Sequence, residues 1–161
     1  VVGTVLQVAQ AIKTDAWSAA PGANAFSAVT GLAVTITPQF ETSKMLVMVN
    51  VHVSTSDYQV KGLVKRNGVA FAIGDVNSLR PRLTFYHNTY VTPQSEQRYH
   101  LQATGGTWLD SPNTTNACAY TVELAAYSTH TVYVNRSYNW QDTSDYDGTP
   151  TSTLIVMEIA A

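Results

Sequence analysis

The sequence predicts an all-β domain, folded as a two-sheet antiparallel sandwich, and three observations lead there. Short runs of alternating apolar and polar residues recur along all 161 residues, separated by Gly, Pro, Asn and Asp. No stretch longer than about ten residues carries an apolar stripe at helical spacing. Charged residues are only 12% of the chain against 45% hydrophobic ones, so Thr, Ser, Asn and Gln must form most of the polar surface. Thr suits a pleated sheet better than a helix, because branching at Cβ costs it rotamers in a helix.

The first strand is expected at 4–13, with Leu6, Val8 and Ile12 on one face and Val5, Ala9 and Ala11 on the other, so both faces call for cover. Asp15-Ala16-Trp17-Ser18 breaks it, and 19–24, with Pro21-Gly22, form a loop. Residues 26–29 and 32–37 read as two short strands joined at Thr30-Gly31, the second ended by Pro38, which has no N–H to give a ladder. Residues 43–54 alternate most cleanly, with Met45, Val47, Val49, Val51 and Val53 on the core face and Asn50, His52 and Ser54 opposite. Asn67-Gly68 between 61–66 and 69–73 is a strong hairpin signal, since both central residues of the favoured tight turn need positive φ.

Further strands are expected at 83–86, 98–103 and 107–109, with Gly105-Gly106 as a second hairpin turn. Asp110-Ser111-Pro112-Asn113 is a turn by composition. Residues 118–127 and 131–135 read as a pair of strands across Ser128-Thr129-His130, and 138–150 as a long loop. The last strand, 151–160, has Ile155, Met157 and Ile159 on one face and Leu154 and Val156 on the other, which places it mid-sheet. About ten strands that open and close with runs apolar on both faces fit a jelly roll whose first and last strands pair centrally. The surplus apolar face is expected to be sealed by copies of the same chain, by analogy a homotrimer like those of complement-head and tumour-necrosis-factor-like jelly rolls.

Charge narrows the function classes. Net charge is −2 and the nine Lys and Arg are scattered, with Lys65-Arg66 the only adjacent pair, so no basic stripe favours nucleic acid. The longest mainly apolar stretch, 45–53, contains Asn50 and His52 and is too short to insert into a membrane as a helix. Val1-Val2-Gly3 resembles no signal peptide, so the start is expected to be an internal cut or a processed end. Cys118 stands alone among apolar residues and reads as a small core residue.

Aromatic residues gather in two loop segments. Trp140 beside Gln141 and Asp142, flanked by Tyr138 and Tyr146, suits a glycan: ring faces stack on sugar C–H groups while amide and carboxylate groups bind hydroxyls. Tyr86, His87 and Tyr90 form the second group, and Trp17 and Trp108 are expected in the core or an interface. The bland alternative for all of them is packing under their own loops. Asp142, Asp145 and Asp147 before Gly148 suggest a calcium loop, but no Glu stands at the closing position, so they read as turn formers. Histidines at 52, 87, 100 and 130 lack the paired spacing of metal ligands. No cofactor or metal site is expected, and no pair of acids is legible for glycoside cleavage, so the chain is expected not to be an enzyme.

Several segments together carry a resemblance: Gly3-Thr4-Val5-Leu6-Gln7-Val8 with Ile12-Lys13-Thr14-Asp15, Val29-Thr30-Gly31-Leu32-Ala33-Val34-Thr35-Ile36-Thr37-Pro38, Ser43-Lys44-Met45-Leu46-Val47-Met48-Val49, Leu109-Asp110-Ser111-Pro112, Val132-Tyr133-Val134-Asn135-Arg136-Ser137, and Thr151-Ser152-Thr153-Leu154-Ile155-Val156-Met157-Glu158. In this order and spacing the chain resembles C-terminal domains of tail-fibre-like structural proteins of marine and cyanobacterial bacteriophages. The resemblance implies one domain over 1–161 at the end of a longer fibre chain, displayed on the virion as a trimer and binding a host surface glycan or outer-membrane protein. The segment 77–96 departs most from the pattern and is a candidate for host discrimination. The alternative is a purely structural virion part, a capsid decoration or fibre-trimerisation cap that touches no receptor; a third reading is a depolymerase or free carbohydrate-binding module.

Overall fold

A computed structural model describes residues 2–22, 25–56, 58–88, 99–145 and 147–161, and all regular structure in them is β. The eleven described strands are β1 (Val5–Lys13), β2 (Trp17–Ala19), β3 (Ser27–Ile36), β4 (Lys44–Thr55), β5 (Gln59–Arg66), β6 (Val69–Ala70), β7 (Phe85–Asn88), β8 (Gln102–Asp110), β9 (Cys118–Ala126), β10 (Val132–Val134) and β11 (Ser152–Ile159). They form two antiparallel sheets. In one, β11 lies between β1 and β4, β8 takes the other side of β4, and β10 joins the far end of β4 to β2. In the other the order is β3-β9-β5, with β7 and β6 on successive parts of the outer side of β5.

The core lies between the sheets and follows the alternation. Met45, Val47, Val49, Val51 and Val53 of β4 and Leu154 and Val156 of β11 face Leu32, Val34 and Ile36 of β3, Tyr120, Val122 and Leu124 of β9, and Val60 and Val64 of β5, all buried. Each fully buried aliphatic side chain contributes roughly 1.5–3 kcal/mol by leaving water. Cys118, fully buried and reduced, is one of the small core residues, and burial pushes its thiol pKa up. Phe85 of β7 stacks on Trp108 of β8 at 6.4 Å, so the edges of the two sheets close on each other there. The Asn67-Gly68 hairpin forms as expected, with φ of 48° and 80°, and Asn67 Oδ1 accepts from the Ala119 N–H at 2.8 Å.

Four expectations need correction. Residues 26–29 and 32–37 are one strand, β3, whose register on β9 shifts between Ala28 and Ala33. Gly31, at φ 89°, absorbs the extra length, and the buried Lys13 side chain packs beneath it while its ammonium pairs with Asp15 at 2.9 Å. Gly105-Gly106 is not a turn: β8 runs straight through it, opposite Asn50 and Val49. Glycine is needed there because a Cβ on Gly105 would collide with the Val49 carbonyl. Residues 118–127 and 131–135 do not pair, because β3 and β5 occupy both flanks of β9, so after a turn at 127–130 the chain crosses to the other sheet. Finally, the first strand pairs with the last, but β1 sits at the sheet edge while β11 is central.

The expectation that both faces of the outer runs are covered is met on one side only within this chain. Val8 and Ile12 are each 56% exposed and Leu109 is 61% exposed. Val5, inward by simple alternation, is 47% exposed beside the register shift between Val5 and Gln7. Leu109, Leu46, Met157 and Val8 stand in register across four adjacent strands, β8-β4-β11-β1.

Candidate functional site

The site sits where the first sheet divides. Along one side of β4, β11 pairs up to Asn50 and β10 takes over from Val53, and the chain between β10 and β11 leaves the sheet at this gap. Asn135 holds the gap closed. Fully buried at φ 58°, it donates from Nδ2 to the carbonyls of Lys13 (2.8 Å) and Asp15 (3.1 Å) and accepts from Ser152 Oγ at 2.6 Å. Ser152 Oγ in turn accepts the His52 N–H at 2.9 Å, and His52 Nδ1 lies 2.9 Å from the Thr151 carbonyl. Buried polar groups cost free energy unless paired, and here four chain segments satisfy one another.

From this anchor the loop is built by its own side chains. The Arg136 guanidinium lies between two rings, 4.6 Å from the centroid of Tyr133 and 4.2 Å from that of Trp140, a double cation–π contact. It also donates to the carbonyls of Ser137 and Tyr138. Ser137 Oγ accepts the Trp140 N–H at 2.9 Å and donates to Asp147, whose other oxygen accepts the Gln141 N–H at 2.6 Å. Trp140 sits at φ 32°, a conformation that costs a bulky L-residue roughly 1–3 kcal/mol and persists only when its surroundings over-determine it. The result is an indole held 46% exposed although one face carries the guanidinium.

Trp140, Gln141, Asp142, Thr143, Ser144 and Asp147 line an open recess of about 500 Å³. On its other side Trp140, with Arg136, Trp17 and Ser18, lines a smaller one of about 130 Å³. The sequence-predicted trio of Trp140, Gln141 and Asp142 is therefore brought together. Tyr138 packs against Tyr133 at 5.9 Å and outside the recess lining. Tyr86, 53% exposed, belongs to a different recess with Lys61, Arg80 and Arg82. His87 stacks on His100 at 6.0 Å, and burial holds both imidazoles below their ordinary pKa. Tyr90 and Tyr146 lie outside the described residues.

Sequence reasoning missed Asn135 and Arg136 as parts of this site, whereas Trp17, which borders the smaller recess, packs against the core as expected. The signal for Arg136 was present, since a cation three residues after one ring and four before another is placed to stack on both, but only a turn at 135 brings them together. Asp147 is a loop anchor, which accounts for one of the three aspartates by hydrogen bonding alone. Among the described residues no three His, Cys, Asp or Glu converge as metal ligands would. No family model matches the chain, and no curated protein matches it.

Proposed function

We propose that this domain is a non-enzymatic recognition module of a bacteriophage tail fibre, a trimeric jelly roll that attaches the virion to a host surface glycan or outer-membrane protein through the 136–149 loop. The observation that carries the reading is the half-exposed Trp140 ring sharing one recess with Gln141 and Asp142. The Arg136 stack on one face, the positive-φ backbone and three loop hydrogen bonds set the ring's position and leave it half exposed, an arrangement suited to stacking on a sugar ring. Strand order supports the jelly roll: β1-β11-β4-β8 faces β3-β9-β5-β7, with β2, β6 and β10 as additions. The apolar outer row of β8, β4, β11 and β1 supports self-association, and threefold display would add avidity to a weak site.

Adsorption of the isolated domain to host cells and to a glycan array tests the reading. Trp140→Ala should abolish binding while leaving the thermal midpoint nearly unchanged; unaltered adsorption would sink the loop assignment.

The same outer face favours a second reading, a purely structural virion part that trimerises and binds no receptor. Replacing Val8 and Leu109 by Lys separates the two functions, since self-association should be lost in either case but residual single-site glycan binding survives only under the first reading.

A further inference from the structure

The recess beneath the 74–83 excursion concentrates positive charge in a chain that is otherwise poor in it. Three of the nine Lys and Arg residues, Lys61, Arg80 and Arg82, line it, and among its described lining residues Asp75 is the one carboxylate. Its volume of about 540 Å³ lies within the ordinary range of ligand sites. The excursion is closed at its base by the Gly74 N–H to the Leu83 carbonyl at 3.2 Å and by Arg82 Nε to the Gly74 carbonyl at 2.5 Å. Near its tip Arg80 Nη1 donates to Asn77 Oδ1 at 2.8 Å, across a turn that holds Ser78 at φ 53°. Each guanidinium is thus oriented through one N–H, with the rest of its fork available for a planar anion. Lys61, on the outward side of β5, also lines the recess and is largely shielded from solvent.

The walls add a second requirement. Leu83, Pro81 and the half-exposed Tyr86 ring give the recess apolar surfaces beside its cations. A bare inorganic anion has no use for them, whereas a carboxylated sugar ring presents C–H groups to the tyrosine and its carboxylate to the arginine forks. We propose that this recess is a binding site for acidic saccharides, taking a uronic-acid residue with its carboxylate on Arg80 and Arg82 and its ring against Tyr86. It shares with the reading above only the premise that this domain recognises sugars, and it is spatially separate from the Trp140 recess.

Titration calorimetry with a panel of galacturonate, glucuronate and mannuronate oligomers tests it, each compared with its methyl ester, which keeps the sugar and removes the charge. At least one acid oligomer should bind, its ester should bind at least about tenfold more weakly, and raising the salt should weaken binding. Arg80→Gln and Tyr86→Ala should each lower the affinity about tenfold with an unchanged melting temperature, and Arg82→Lys, which keeps the charge and loses the fork, should lower it as well. Trp140→Ala should have no effect on this binding, so failure of one site is distinguishable from failure of the other. Absence of binding across the panel, equal binding of acid and ester, or inorganic phosphate binding as tightly as the oligomers would overturn the proposal.

Discussion

The Tyr120 hydroxyl donates to Asp110 Oδ2 at 2.8 Å, joining the centre of one sheet to the end of β8 in the other. Arg66 holds the same oxygen at 2.5 Å from the hairpin end of β5. Tyr120 is fully buried, and burial first, with the Asp110 carboxylate second, drives its pKa far up, so it remains a donor at any ordinary pH. Tyr120→Phe removes only the hydroxyl and should cost about 1–2 kcal/mol, whereas Asp110→Ala strands a buried donor and should cost about 2–4 kcal/mol. Urea unfolding of both variants and the double variant measures this, and simple additivity would show that the two groups are not coupled.

Glycine positions should divide sharply. At Gly105 a Cβ meets the Val49 carbonyl, and at Gly62 it meets the Phe85 ring, while at Gly148 nothing lies within 4 Å. Gly105→Ala and Gly62→Ala should each destabilise by about 2–4 kcal/mol, and Gly148→Ala by less than about 0.5 kcal/mol. Thermal unfolding of the three variants decides it.

Asn135→Ala should be costly out of proportion to its size. It removes the hydrogen bonds to Lys13, Asp15 and Ser152 and leaves alanine at φ 58°, for a loss of about 3 kcal/mol. Because Asn135 anchors the loop, Trp140 fluorescence should also shift toward that of a solvent-exposed indole under folding conditions. A native-like emission spectrum would mean that the loop holds itself without this anchor.

Stability should decline with acid in two stages. Burial, with the neighbouring His100 charge a further cause for His87, holds the folded pKa of both stacked imidazoles below the usual value. The unfolded chain therefore takes up protons first, and stability present above a pH of about 6.5 is lost as pH falls through the folded values. Glu158 gives the lower stage. Burial alone would raise its pKa, but the Ser43 hydroxyl, then Gln7 Nε2 at 2.5 Å and the Gln39 N–H at 2.7 Å, outweigh it, so the folded value lies below 4.5. Its contribution is present above that pH and lost as pH falls through the folded value. Replacing His87 and His100 by Phe should remove the upper stage and Glu158→Gln the lower one, as read from urea midpoints at successive pH values.

The sequence by itself determined the class of fold, most of the strands and the core face. Those depend on local alternation and turn chemistry, as at 43–54 and Asn67-Gly68, where the side chain's own period states which way it points. Trp140, Gln141 and Asp142 line one recess, as neighbours along a loop do whatever the sheet does. Tertiary structure decided the rest. Gly105-Gly106 reads locally as a turn and serves instead as a place of close approach to β4, and β10 abandons β9 because both of that strand's edges are already taken. Arg136 between its two rings, Asn135 across four segments, and Lys61 with Arg80 and Arg82 in one recess are juxtapositions of distant or turn-separated residues. Hydrogen-bond partners and edge occupancy are properties of the assembled sheets, and no local period encodes them.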